Sequence, residues 1–450
     1  MTSPARLKIA VVGTGISGLS AAWLLHRRHD VVIFEKADRI GGHSNTVHAS
    51  VGGDIVPVDT GFIVYNPDTY PNFVELLRVL DVESELSDMS FGVSLEGGGV
   101  EYCGDNLAGL FAQRANLLRP RFWSMVADIT RFYRRAADDA RRLCDDCLSL
   151  GDYLAKGKYG AAFRDLYILP LASAIWSAPT AEILSYPAAA FLRFQDNHGL
   201  LRVRERPDWV TIKGGSERYV KRLIQGFAAQ IRTGANIAQI ERVAGKAIVV
   251  HASGEREAFD HIVIATHPDQ ALALLADPTQ DERAVLGAFR YSRNEAVLHT
   301  DETMMPRRRA VWSSWNATGG AGPTQECASV TYWMNRLQNL PTRTDLFVTL
   351  NPMRPLRDGA VLKSETYEHP IFDAAALAAQ KRLWDIQGGR HTWYCGAYFG
   401  AGFHEDGLQA GLAVAELLGD VRRPWRVADE SARIPAPPEA RPEPDWEDAA

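Results

Sequence analysis

Gly13, Gly15 and Gly18 stand in the spacing G-x-G-x-x-G, with Ile16 and Ser17 between the last two, and Glu35 follows 22 residues after Gly13. Those residue types at that spacing serve a dinucleotide. Gly13 permits a tight turn, Gly15 lets the backbone approach a pyrophosphate, and Gly18 lets a helix pack closely on a strand. A carboxylate at Glu35 can accept the ribose hydroxyls of an adenosine. Near the other end, His404, Glu405 and Asp406 follow a glycine-rich stretch. A histidine titrates where proton transfer near neutrality needs it, which makes His404 and Glu405 the candidate catalytic bases, with His198 and His267 behind them. A lone histidine in a glycine loop also serves as a hydrogen-bond partner of backbone or cofactor, so both roles stand for His404. Asp406 can act at a helix N-terminus, where the dipole stabilises a carboxylate.

These residues need a frame. The apolar run Leu7–Val12 predicts a buried parallel strand, Leu19–Leu25 carries an apolar helical face, and Val31–Phe34 predicts a second strand ending at Glu35. The helix start between them offers free N–H groups and a positive dipole end to phosphates.

After Glu35 the chain reads Lys36-Ala37-Asp38-Arg39-Ile40-Gly41-Gly42-His43. This E-K-x-x-R-x-G-G run resembles the flavin amine oxidase and phytoene desaturase superfamily. Trp393 to Gly411, with Gly396, Phe403, Asp406 and Gly407, looks like the strand, glycine loop and helix that hold the flavin end of FAD there. The resemblance implies FAD as cofactor, and an α/β fold in which a Rossmann-like FAD-binding domain of the GR2 type is interleaved with an α+β substrate domain. It implies that Lys36, Arg39, Gly41, Gly42, Thr60 and Gly61 also belong to the cofactor site, and that the strand from Ala235 to Val243 lies with its backbone against adenine. Lys213 and Arg242 read equally well as cofactor contacts or as solvated charges. Segments 57–66, 174–179 and 402–407 look like a bacterial subgroup of FAD-binding oxidoreductases associated with cyclopropane-fatty-acid-synthase-like methyltransferases.

On this reading the FAD-binding domain comprises residues 1–75, 205–270 and 385–420, the substrate domain 76–204 and 271–384, and the proline-rich stretch 421–450 is a disordered tail. Trp176, Phe194, His198, Trp315, Tyr332 and Phe403 are the candidate substrate-pocket residues. Many flavin amine oxidases carry a lysine near the flavin on a strand that matches 293–298, where this chain has Asn294 and Glu295. They often place an acid after the C-terminal A-G motif, where it has Ala397-Tyr398. Phe403 matches a tyrosine of the amine-binding aromatic cage. These departures favour an apolar C–H substrate: an FAD-dependent desaturase or dehydrogenase of an unsaturated or methylated fatty-acyl lipid. The alternatives are an amine oxidase, a flavin-dependent double-bond isomerase of lipids, and a flavin- and lipid-binding protein without turnover.

Composition is that of an enzyme with large cores: 450 residues, 46% hydrophobic and 23% charged. A net charge of −6 gives no global basic field for nucleic acid. With no apolar leader and no span of about 20 apolar residues, a cytoplasmic protein is expected. From Asn106 to Arg142, arginines alternate with aromatic residues. An amphipathic domain helix with a solvated face takes precedence there over peripheral contact with the inner face of the membrane. The five cysteines are scattered; Cys144 and Cys147 read as reduced thiols on a helix, and no metal site is expected.

Overall fold

The computed structural model describes residues 6–143, 148–176, 180–197, 201, 207–320, 329–428 and 430–437. Lys8–Val12 is the middle strand of a five-stranded parallel sheet, in the order Ile231–Arg232, Asp30–Phe34, Lys8–Val12, His261–Ile264, Thr392–Tyr394. Ile9, Ala10, Val11 and Val12 are all buried. Successive residues of a strand face opposite ways, so this sheet is covered on both faces, as its unbroken apolar run requires. Gly13 leaves the strand at φ +104°, a conformation costly for any residue with a Cβ.

The helix Ile16–Leu25 then runs along the C-terminal helix His404–Gly419. Their approach depends on Gly411: a Cβ there would stand 2.2 Å from the Ser17 carbonyl oxygen. Gly18 does the same for the turn, since its Cβ would meet the Gly13 carbonyl oxygen at 2.1 Å.

A seven-stranded mixed sheet forms the second body, in the order Val361–Ile371, Arg290–His299, Phe347–Leu350, Ser329–Trp333, Trp315–Gly319, Phe91–Leu95, Val100–Cys103. Helix Pro120–Arg142 buries Phe122 and Met125 against Val93, Leu95 and Tyr102 of that sheet. It also packs on helix Ala188–Asn197. The mixed α/β fold with a parallel dinucleotide sheet and further substrate-side sheets is therefore the architecture expected.

One expectation fails. The described part of 421–437 is packed against the body of the protein. Trp425 stacks on Trp23 with centroids 5.7 Å apart, Arg423 forks onto Glu416 at 2.8 and 2.9 Å, and Arg433 reaches Asp406 at 2.5 Å. Composition misleads here because a few anchors hold a proline-rich segment whose average apolar density is low. Residues 438–450 lie outside the described residues, as do Cys144, Cys147 and Cys327. Cys103 and Cys395 are buried free thiols.

Candidate active site

A cavity of about 800 Å³ is lined by Gly13 to Ser17, by Glu35 and Lys36, by Ala235 to Ala238, and by aromatic and apolar residues of the mixed sheet. Glu35 is fixed before any ligand arrives. Its Oε2 accepts from the Thr14 backbone N–H at 3.0 Å and from the Thr14 hydroxyl, while Oε1 accepts from the Ala37 N–H at 2.9 Å. Gly41 N–H donates to Thr14 Oγ1 at 3.2 Å, which ties the loop after Glu35 to the glycine turn. Ala235 N–H donates to the Glu35 carbonyl at 2.8 Å and so brings its strand to the same place.

These residues fit a dinucleotide. A Cβ built on Gly15 would meet nothing within 4 Å, so the turn faces open space there. The helix that follows has no side-chain cap on its first N–H groups, which leaves them for phosphate oxygens. Farther along, Gly42, Thr60, Gly61, Gly396 and Phe403 line the same cavity and would hold the flavin end. Burial pushes the Cys395 thiol up to about 12, so it is neither exposed nor ionised for a covalent link. The purified protein is expected to be yellow, with FAD released by acid precipitation. Flavin kept in the precipitate would overturn non-covalent binding. Glu35→Ala should weaken FAD by about 1.5–3 kcal/mol, measured by titration of the apoprotein.

The cavity assembles only part of the set read from the sequence. Gly13, Gly15, Ile16, Ser17, Glu35, Lys36, Gly42, Thr60, Gly61, Gly396, Phe403, His404, Trp315 and Tyr332 line it. Gly18 and Gly41 support the turn from behind, and Phe194 stacks on Phe403 with centroids 4.9 Å apart. His198 and the Trp176 side chain lie outside the described residues.

Several residues stand elsewhere. Arg39 is exposed, with Nη1 3.3 Å from the Ser44 carbonyl. Val243 is exposed at the far end of its strand, and residues 235–238 at the near end line the cavity instead. Arg242 is buried in an ion pair with Glu282, and Lys213 pairs with Glu83 at the surface. Glu405, turned from the cavity by the helical rotation after His404, accepts from Asn72 N–H at 3.1 Å and Phe73 N–H at 2.9 Å. It thus caps helix Pro71–Val79 rather than facing a substrate. Asp406 caps its own helix through Phe403 N–H at 2.8 Å and faces Arg433, while Gly407 packs on Ile16 and Ala397.

Among the described residues, four histidines line the cavity: His43, His267, His369 and His404. Desolvation lowers the pKa of each, to about 3 for His404 and about 4 for His369, and well below the ordinary value for His43. The His404 ring lies on Phe62 with centroids 3.8 Å apart, and its Nε2 is bonded to the Tyr219 hydroxyl at 2.9 Å. His369 accepts from Asn294 Nδ2 at 2.9 Å, and Asn351 fixes Asn294 in turn at 2.8 Å. His267 differs: its Nδ1 stands 3.3 Å from Glu368 Oε2, and the Glu368 and Asp269 charges oppose the effect of burial. Sequence reasoning placed His267 only in reserve and missed His43, Glu368 and His369, which no local motif marks.

A parallel dinucleotide sheet sharing one cavity with a large mixed sheet defines a two-body flavoenzyme, an FAD-dependent oxidoreductase. The chain belongs to the family of flavin-containing amine oxidoreductases, which it matches over residues 16–327. AofH of Mycobacterium tuberculosis, named as a candidate flavin-containing monoamine oxidase, is 26% identical over 390 residues, covering 84% of this chain and 78% of AofH. Among solved structures, a redesigned putrescine oxidase superposes with a TM-score of 0.66 at 15% identity, covering 91% of this chain and 98% of that one. The CLA-producing fatty acid isomerase from P. acnes gives 0.64 at 16% identity, covering 92% and 98%. Identities this low establish a shared fold.

Proposed function

We propose that this enzyme removes hydrogen from an apolar C–H substrate, a fatty-acyl lipid that is unsaturated or methylated, and so makes a new double bond. The observation that carries this reading is Asn294, bonded to His369 at 2.9 Å, on the strand which the resemblance matches to one where many flavin amine oxidases carry a lysine and where this chain has Asn294 and Glu295 instead. Two features agree with it. Phe403 presents a ring without a hydroxyl and is stacked on Phe194. Ile63, Val64, Ile175, Trp315, Tyr332, Leu350 and Phe372 give the cavity an apolar wall suited to an alkyl chain. The resemblance to the subgroup associated with cyclopropane-fatty-acid-synthase-like methyltransferases supports a methylated or unsaturated acyl group.

Bound FAD supplies a two-electron acceptor for hydride. The substrate gives up a hydride from one carbon and a proton from its neighbour, and a C=C bond forms between them. His267 takes the proton, and Glu368 stabilises the resulting imidazolium. The apolar wall excludes water and holds the chain so that one C–H bond is presented.

Amine oxidation is the second reading, favoured by the similarity to AofH and by Glu368, an acid on the cavity wall that could meet an ammonium group. Anaerobic stopped-flow separates the two. Unsaturated or branched fatty-acyl lipids should bleach the flavin, whereas biogenic amines and amino acids should not. Rapid bleaching by a simple amine would reverse the assignment, and double-bond migration without net oxidation would make the enzyme an isomerase.

A further inference from the structure

We infer that the turn and helix start spanning Leu107 to Trp123 form a docking surface for an anionic phospholipid bilayer. Four large apolar side chains are exposed within these residues: Leu107, Leu117, Leu118 and Trp123, at 75, 47, 88 and 46%. They are held rigidly from below. Phe122 and Met125 of the same helix are buried in the core formed with Val93, Leu95 and Tyr102. Phe111 lies beside Trp123 with ring centroids 5.2 Å apart.

Hydrogen bonding suits hydrocarbon. Trp123 Nε1–H already donates to the Leu117 carbonyl at 2.9 Å, so the indole can leave water without stranding its donor. Charge supplies the complement. From Leu107 to Ala127 the chain carries Arg114, Arg119 and Arg121 and no acid, in a protein whose net charge is −6. Arg119 Nη1 donates to the Asn116 side chain and the Gly99 carbonyl and meets no carboxylate among the described residues, whereas Arg121 pairs with Glu96 at 2.9 Å. Arginines at the rim of exposed Leu and Trp match anionic headgroups above an acyl layer.

The rest of the helix does not share this character. Arg131 pairs with Asp128 and Arg141 with Asp138, an ordinary solvated face. Bilayer contact therefore belongs to the leading end alone. Helix Ala188–Asn197, which carries Phe194 against Phe403 at the cavity wall, clusters with the later part of the same helix, around Phe132 and Ala136.

The test uses the full-length FAD-loaded protein and co-sedimentation with vesicles of dimyristoyl phosphatidylcholine, with or without dimyristoyl phosphatidylglycerol. Binding is measured without turnover, so its outcome is independent of the fatty-acyl reading of the active site. The mixed vesicles should retain the protein, less so as salt rises. Leu118→Asp, a change at a solvent-facing side chain, should lower partitioning about tenfold or more at unchanged FAD content. Arg114→Gln should lower it about fivefold on mixed vesicles and leave neutral ones unaffected. Equal binding of Leu118→Asp and wild type, or no binding to mixed vesicles, would overturn the inference. Self-association abolished by Leu118→Asp without vesicle binding would assign the patch to a second copy of the chain.

Discussion

His267→Ala should slow flavin reduction by about 10²- to 10⁴-fold while FAD stays bound, the range for loss of a positioned general base. Among the described cavity histidines, His267 alone pairs with a carboxylate, across 3.3 Å, and its ring is held by stacking on Tyr291 with centroids 4.1 Å apart. Burial keeps it neutral near pH 7, ready to accept a proton, and Glu368 with Asp269 stabilises the charge it then carries. Burial, with repulsion from His267, lowers His369 to about 4 and His43 well below the ordinary value, so neither is placed to share the proton. The reductive rate should fall on the acid side as His267 becomes protonated, with a midpoint below the ordinary histidine value of 6.5. Glu368→Gln removes a group that raises the His267 pKa. The acid limb should then move to still lower pH and the maximal rate should drop. A reduction rate unchanged in FAD-loaded His267→Ala would remove this residue from the reaction. The same measurement on His404→Ala judges the base read from the sequence, whose basicity burial has largely suppressed.

What the sequence revealed follows from the range over which each signal acts. The glycine turn, its two strands and Glu35 lie within 30 residues and obey local rules of pleat, turn and helix start. Val243 was misplaced because a seven-residue strand can touch a ligand at one end only. Ala235, bonded to the Glu35 carbonyl, fixes which end that is. The cluster of His43, His267, Glu368 and His369 comes from segments as much as 326 residues apart, and no periodicity joins them. Arg242 shows the same limit: nothing in its surroundings in sequence tells that Glu282 waits 40 residues on to bury with it. Glu405 was legible as a candidate base at the entry to the last helix, but not as the cap of a different helix.

The C-terminal segment carries the largest expected effect on stability. Arg433→Met should destabilise the folded enzyme by about 3–5 kcal/mol, the cost of leaving a buried carboxylate without its cation. Asp406 is fully buried, and Arg433 Nε reaches its Oδ1 at 2.5 Å while Nη1 donates to the Thr69 carbonyl at 3.2 Å. Glu405, equally buried one residue away, would add its own field to the unpaired charge. The guanidinium also lies over the rings of Tyr70 and Phe403, at 5.4 and 6.0 Å, and both rings belong to the cavity wall. Loss of stability should therefore come with weaker FAD retention. Arg433→Lys should recover only part of the deficit, because an ammonium cannot reproduce the guanidinium fork that joins Asp406 to Thr69. Truncation after Asp420 should cost more than either substitution, since it also removes the Arg423–Glu416 fork and the Trp425–Trp23 stack. Denaturant unfolding of the holoenzyme measures all three, and a truncated chain as stable as the full one would show that these contacts add nothing to the fold.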